Sequence, residues 1–172
     1  MFSVGELVVY PAQGVGKVER IETQEIGGVA TELFIVRILS NNVTLLVPVK
    51  NAENVGLRGV YSPTEAKGIL SYLEDRSDFA GYTGQNWNRR YREYSERLKS
   101  NNLHDVAYVL KELILIGKDK ELSFGERRLL EQAMGLITLE LSFALQQDQD
   151  AIKIAIEDLF ADILHKDNDD GE

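Results

Sequence analysis

The stretch Arg58-Gly59-Val60-Tyr61-Ser62-Pro63-Thr64-Glu65 decides how the chain is read. Ser62 followed by Glu65 is a capping box, and Pro63 takes the first helical position, where its missing N–H is one of the orphans anyway. The spacing predicts a helix to about Glu74. Before this point the apolar residues alternate as in strands; after it they recur at helical spacing.

On the N-terminal side, Leu7-Val8-Val9-Tyr10 is a short apolar run ended by Pro11. From Gly14 to Thr23 apolar residues fall at 15, 18 and 21, and the slip at Gly16-Lys17 predicts a bulge. Gly27-Gly28 is a hairpin turn into Leu33–Leu39, and Asn41-Asn42 a second turn into Val43–Pro48. Four or five short strands in about 60 residues suit a small SH3/Tudor-like β-barrel. On the C-terminal side, residues 75–85 read as a loop and a helix begins near Trp87, with Trp87, Tyr91, Tyr94 and Leu98 on one stripe. A third helix, Leu103 to about Ile116, is stopped by Gly117. Ser123-Phe124-Gly125-Glu126 is a second capping box, opening a long helix to about Gln146, and a last helix covers Asp150 to Leu164. The expected architecture is α+β and multidomain. A Tudor-like domain (1–60) precedes an all-α helical bundle domain (61–165, with 61–85 as connector helix and loop), and residues 166–172 form an acidic, disordered tail.

Composition narrows the function. Among 172 residues there is no cysteine, which excludes disulfides, thiolate metal sites and cysteine nucleophiles. The first residues lack the basic and apolar pattern of a secretory signal, and no window approaches the ~18 apolar residues of a membrane span. The expectation is a cytoplasmic protein. The Gly14-Val15-Gly16-Lys17 run is not a phosphate loop, because Pro11 and Val18 stand where glycine and Ser/Thr are needed. His104 and His165 lie on different predicted helices without a ligand set, and Asn42-Val43-Thr44 is a turn rather than a glycosylated sequon. No cofactor, metal or enzymatic activity is expected.

The net charge of −9 is unevenly spread. Residues 86–128 carry ten Lys/Arg against seven Asp/Glu, whereas residues 129–172 carry two against eleven. A locally basic segment in an acidic chain meets phosphates without conferring strong general DNA affinity. Within it, Asn86-Trp87-Asn88-Arg89-Arg90-Tyr91-Arg92 unites the only tryptophan with three arginines. Arginine pairs with phosphates and an aromatic ring can wedge against an unstacked base step. Spacing alone favours the plainer alternative, a core Trp87 with a solvated arginine rim.

Four separated stretches, VGELVVYPAQGVG (4–16), VPVKNAENVGLR (47–58), NWNRRYR (86–92) and LSFGERRLL (122–130), strongly resemble the CarD/CdnL family of bacterial transcription regulators. The resemblance spans both halves up to about residue 160. It implies an N-terminal module, shared with transcription–repair coupling factors, that docks on the RNA polymerase β subunit. It also implies a helical domain whose exposed tryptophan enters the minor groove at the upstream fork of the opened promoter. On this resemblance Trp87, Arg89, Arg90 and Arg92 take the DNA-facing role, with Arg127 and Arg128 beside them. For the polymerase face, alternation that points Val43, Leu45 and Val47 inward turns Thr44, Leu46 and Pro48 outward. An exposed Leu46 beside Pro48 marks either a partner surface or a covered edge strand. Some relatives carry basic side chains where this chain has Gln24 and Leu46, which implies a more apolar grip. The expected partners are the polymerase β subunit and promoter DNA, bound weakly and without sequence specificity by a monomer. The rival reading is a Tudor/SH3-like adaptor with no DNA contact.

Overall fold

The structure is a computed structural model, and it describes residues 1–79 and 87–164. His165, the acidic tail at 166–172, the end of the expected 75–85 loop and Asn86 lie outside the described residues. The chain divides into two compact units, Met1–Val60 and Tyr61–Glu172.

The first unit is an antiparallel sheet of five strands: β1 (Leu7–Tyr10), β2 (Gly14–Ile26), β3 (Val29–Ile38), β4 (Thr44–Pro48) and β5 (Arg58–Gly59). Their order is β4-β3-β2-β1-β5. Among the described residues no pairing joins β4 to β5, so the sheet is open where a closed barrel was expected. A single 3₁₀ turn, Val49–Asn51, follows β4. The long β2–β3 hairpin turns at Gly27 and Gly28, with φ of 58° and 80°, a backbone that glycine adopts without strain. The second turn uses Asn42 at φ 57°, while the Asn41 side chain accepts the N–H of Val43 at 3.0 Å. The register shift lies between Val18 and Arg20, later than the expected bulge at Gly16-Lys17. Gly16 is instead the close approach, where a Cβ would stand 2.8 Å from Val36 Cγ1. One face of the sheet builds the core from Val8, Val18, Phe34, Val36, Ile38 and Val47, closed below by Ala52 and Leu57. That burial, at about 25 cal/mol per Å² of apolar surface, is what holds so small a sheet together.

The second unit is helical: α1 (Pro63–Glu74), α2 (Trp87–Lys99), α3 (Leu103–Asp119), α4 (Phe124–Leu145), α5 (Gln149–Leu159) and α6 (Ala161–Leu164). Ser62 caps α1, its Oγ accepting the Glu65 N–H. The far end of α1 is held by Lys111, which is 3% exposed. Its ammonium donates to the carbonyls of Tyr72 (3.1 Å) and Asp75 (2.8 Å) and to Asp78 Oδ1 (3.0 Å). Helix α3 is the centre of the unit, burying residues from Leu103 to Ile116 along most of its length. Gly117 does not stop it; the helix runs two residues further and ends where Lys120 N–H bonds Ile116 O. A helical glycine costs about 1 kcal/mol, less than the burial of Leu113–Ile116 returns. The single last helix expected over 150–164 is broken at Phe160, at φ −119° and ψ 25°. Arg76 accounts for the break: it donates to the freed Leu159 carbonyl at 3.0 Å, forks onto Asp162 at 2.8 and 2.9 Å, and lies over the Phe160 ring.

Candidate nucleic-acid interface

The first turns of α2 and α4 meet at a small aromatic and basic surface. Helix α2 buries Arg90, Tyr94 and Leu98, one residue per turn on a single face. Burial among the helices pushes the Tyr94 phenol well above its ordinary range. The expected stripe through Tyr91 is therefore rotated: Tyr91 is exposed, and Arg90 takes the inner position at 7% exposure.

A cation enters the interior because a carboxylate waits there. Glu126, 1% exposed, is the third residue of α4 and completes the capping box with Ser123. Ser123 Oγ accepts the Glu126 N–H at 3.2 Å, and the Ser123 N–H donates to Glu126 Oε1 at 3.0 Å. Lys120 donates to the same oxygen at 2.6 Å, while Arg90 Nη2 approaches Oε2 at 3.6 Å. Burial pushes the Glu126 carboxyl up, but the hydrogen bonds from Lys120 and Ser123 outweigh it and hold the group below its ordinary range.

Trp87 covers this buried charge. Its ring lies 5.5 Å from the Arg90 guanidinium carbon, and it tilts against Tyr91 at 5.6 Å between centroids. The indole rests on Gly125: a Cβ there would stand 3.1 Å from Trp87 Cζ2. Trp87 is thus half-buried, neither a core residue nor a free one. Arg89 and Arg92 on α2 and Arg127 and Arg128 on α4 are exposed, Arg127 paired at 3.0 Å with the exposed Glu121. Five of the six expected DNA-facing residues therefore reach solvent. Arg90 does not, and its place is beneath the indole.

Two contributors were missed by sequence reasoning. Glu126 reads in sequence as a capping residue only. Phe124 opens α4 at 83% exposure, and a phenylalanine between a capping serine and a glycine was the available signal.

In the sheet unit, Leu46 is 53% exposed on edge strand β4, flanked by half-buried Leu45 and buried Val47. The expected alternation holds from Thr44 to Pro48. It fails at Val43, which precedes the strand and is 44% exposed rather than inward. Register aligns Leu46 with Ile35 and Arg20, and Pro48 with Leu33 and Glu22, so these rows share a face on which Gln24 also falls. Gln24 is half-buried and donates to Glu22 at 3.1 Å, and Glu22 also pairs with Arg20. A cation therefore stands on this face at Arg20, although neither Gln24 nor Leu46 is basic.

Comparison with known proteins agrees with both halves. The CarD-like/TRCF RID domain matches residues 2–61, and the C-terminal domain of CarD matches residues 69–157. The chain belongs to the CarD family. CarD membership makes it a transcription regulator. The Bacillus subtilis (strain 168) protein "Putative transcription factor YdeB" is 26% identical over 141 residues, covering 82% of this chain and 90% of its own length. The solved structure "CdnLNt from Myxoccoccus xanthus" is 39% identical, covers 36% of this chain and 87% of its own, and gives a TM-score of 0.31.

Proposed function

We propose that this CarD-family chain is a non-enzymatic cytoplasmic regulator that docks on the RNA polymerase β subunit through β4 and stabilises the open promoter complex with Trp87. The indole enters the minor groove at the upstream fork, and Arg89, Arg92, Arg127 and Arg128 meet the neighbouring phosphates. The observation that carries this reading is the half-buried Trp87, seated on Gly125 and braced by the buried Arg90–Glu126 pair. A ring held in this way presents an edge to DNA without first being ordered, so less of its contact energy is lost on binding. The exposed Leu46, beside half-buried Pro48 on β4, supports the polymerase contact. Docking then raises the local concentration of a weak DNA-binding surface at the fork.

Replacing Trp87 with alanine tests the reading. Polymerase binding is expected to persist while the open complex decays on the order of tenfold faster, the size of one lost aromatic contact to a base. A melting temperature that collapses together with polymerase binding marks Trp87 as a structural residue. An unchanged fold with an unchanged lifetime leaves the adaptor reading standing.

A further inference from the structure

Phe124 has no explanation in the fold. It is the first residue of α4, 83% exposed, so its ring adds little to the helical unit's packing. Polar residues and proline are the usual occupants of that position. It is bonded to Gly125, the residue on which the Trp87 indole rests, and Tyr91, 48% exposed, tilts against that same indole. The touching Trp87 and Tyr91 rings therefore stand at the beginning of α2, and a third ring, the exposed Phe124, opens α4 one residue before the seat of that indole. Exposed Arg89 and Arg92 follow on one helix, and Arg127 and Arg128 on the other. In a chain of net charge −9, exposed aromatic rings sharing the first turns of two helices with exposed arginines are complementary to a polyanion that offers flat faces.

We infer that Phe124 is a second DNA-contacting side chain, stacking on an unpaired base of the melted strand beside the step that Trp87 enters. The inference rests on the proposed function and extends it from a single wedge to a two-ring platform. Stacking needs a π-face but no hydrogen bond, so the contact favours unpaired over paired DNA without reading sequence.

The test uses the full-length chain with RNA polymerase holoenzyme and a promoter, measuring open-complex lifetime after competitor challenge, with Phe124→Ala, Phe124→Leu and Phe124→Tyr beside Trp87→Ala. Phe124→Ala is expected to shorten the lifetime roughly fivefold or more, the lower end for a lost stacked base, with an unchanged melting temperature. Phe124→Tyr is expected to retain the lifetime, and Phe124→Leu to lose it. If Trp87→Ala shortens the lifetime and Phe124→Ala does not, the inference falls and the proposed function stands. If neither matters, both fall. Weaker binding of Phe124→Ala to polymerase in the absence of DNA shows that the ring meets protein, and a leucine as good as the native ring shows that no base is stacked; either overturns the inference.

Discussion

At the scale of single residues, Gly125 is a position where a small change has a directed outcome. Its missing side chain is the seat of the indole, because a Cβ there would stand 3.1 Å from Trp87 Cζ2. Gly125→Val is expected to push the ring outward: tryptophan fluorescence shifts to the red while the helical circular dichroism signal persists. Leu46 tests the other unit. At 53% exposure, Leu46→Asp should change stability by less than about 0.5 kcal/mol yet remove polymerase β-subunit binding in a pull-down. Unfolding of the sheet would instead give Leu46 a packing role. The caps at Ser62 and Ser123 and the outward turn of Leu46 were readable in sequence because each depends on neighbours within a few positions. The inward turn of Arg90 was not, since its partner Glu126 comes from another helix.

At the scale of elements, the Arg90–Glu126 pair joins α2 to α4. Glu126→Gln leaves the Arg90 guanidinium buried beside a neutral amide, and is expected to cost about 3 kcal/mol in chemical denaturation, as breaking a buried pair does. The short α6 is held differently, by the exposed Arg76–Asp162 fork. The Arg76 guanidinium holds the Asp162 carboxyl down to about 2, below its ordinary value of 3.8. The folded value is the lower one, so the contribution of this fork is complete above pH about 3.8 and is lost as pH falls through about 2. A carboxyl NMR titration should place the Asp162 midpoint near 2 in the native chain and near its ordinary value in Arg76→Ala. Neither the continuation of α3 through Gly117 nor the break at Phe160 was legible locally. The first is decided by burial of the preceding apolar run, and the second by Arg76, which lies 83 residues before the carbonyl it captures.

At the scale of the whole molecule, the chain passes from one unit to the other between Val60 and Tyr61, where the periodicity changes. A fragment of residues 1–60 is expected to give a β-sheet spectrum and to bind the β subunit, although a unit of this size is of marginal stability. Binding found only in the fragment 61–172 reverses the assignment. The first four strands were legible from turns and alternation, but the two-residue β5 and the openness of the sheet were not, because both depend on long-range pairing. The acidic C-terminal stretch and the basic segment at 86–128 predict weak binding to bare DNA that declines steeply with salt, measurable by titrating fork-junction DNA at two ionic strengths.

Phe124 also bears on how this protein could be engineered or could drift. A hydrophobe standing in water on the first turn of a helix is what a heat-resistance screen discards, and an acidic residue there gains a few tenths of a kcal/mol from the helix dipole. A library sorted only for survival at high temperature should therefore replace position 124 early and return hardier proteins that have lost the aromatic platform. The same library sorted by transcription output should keep the ring and forgo that gain. Sequencing the two pools at this one codon would set thermal fitness directly against activity.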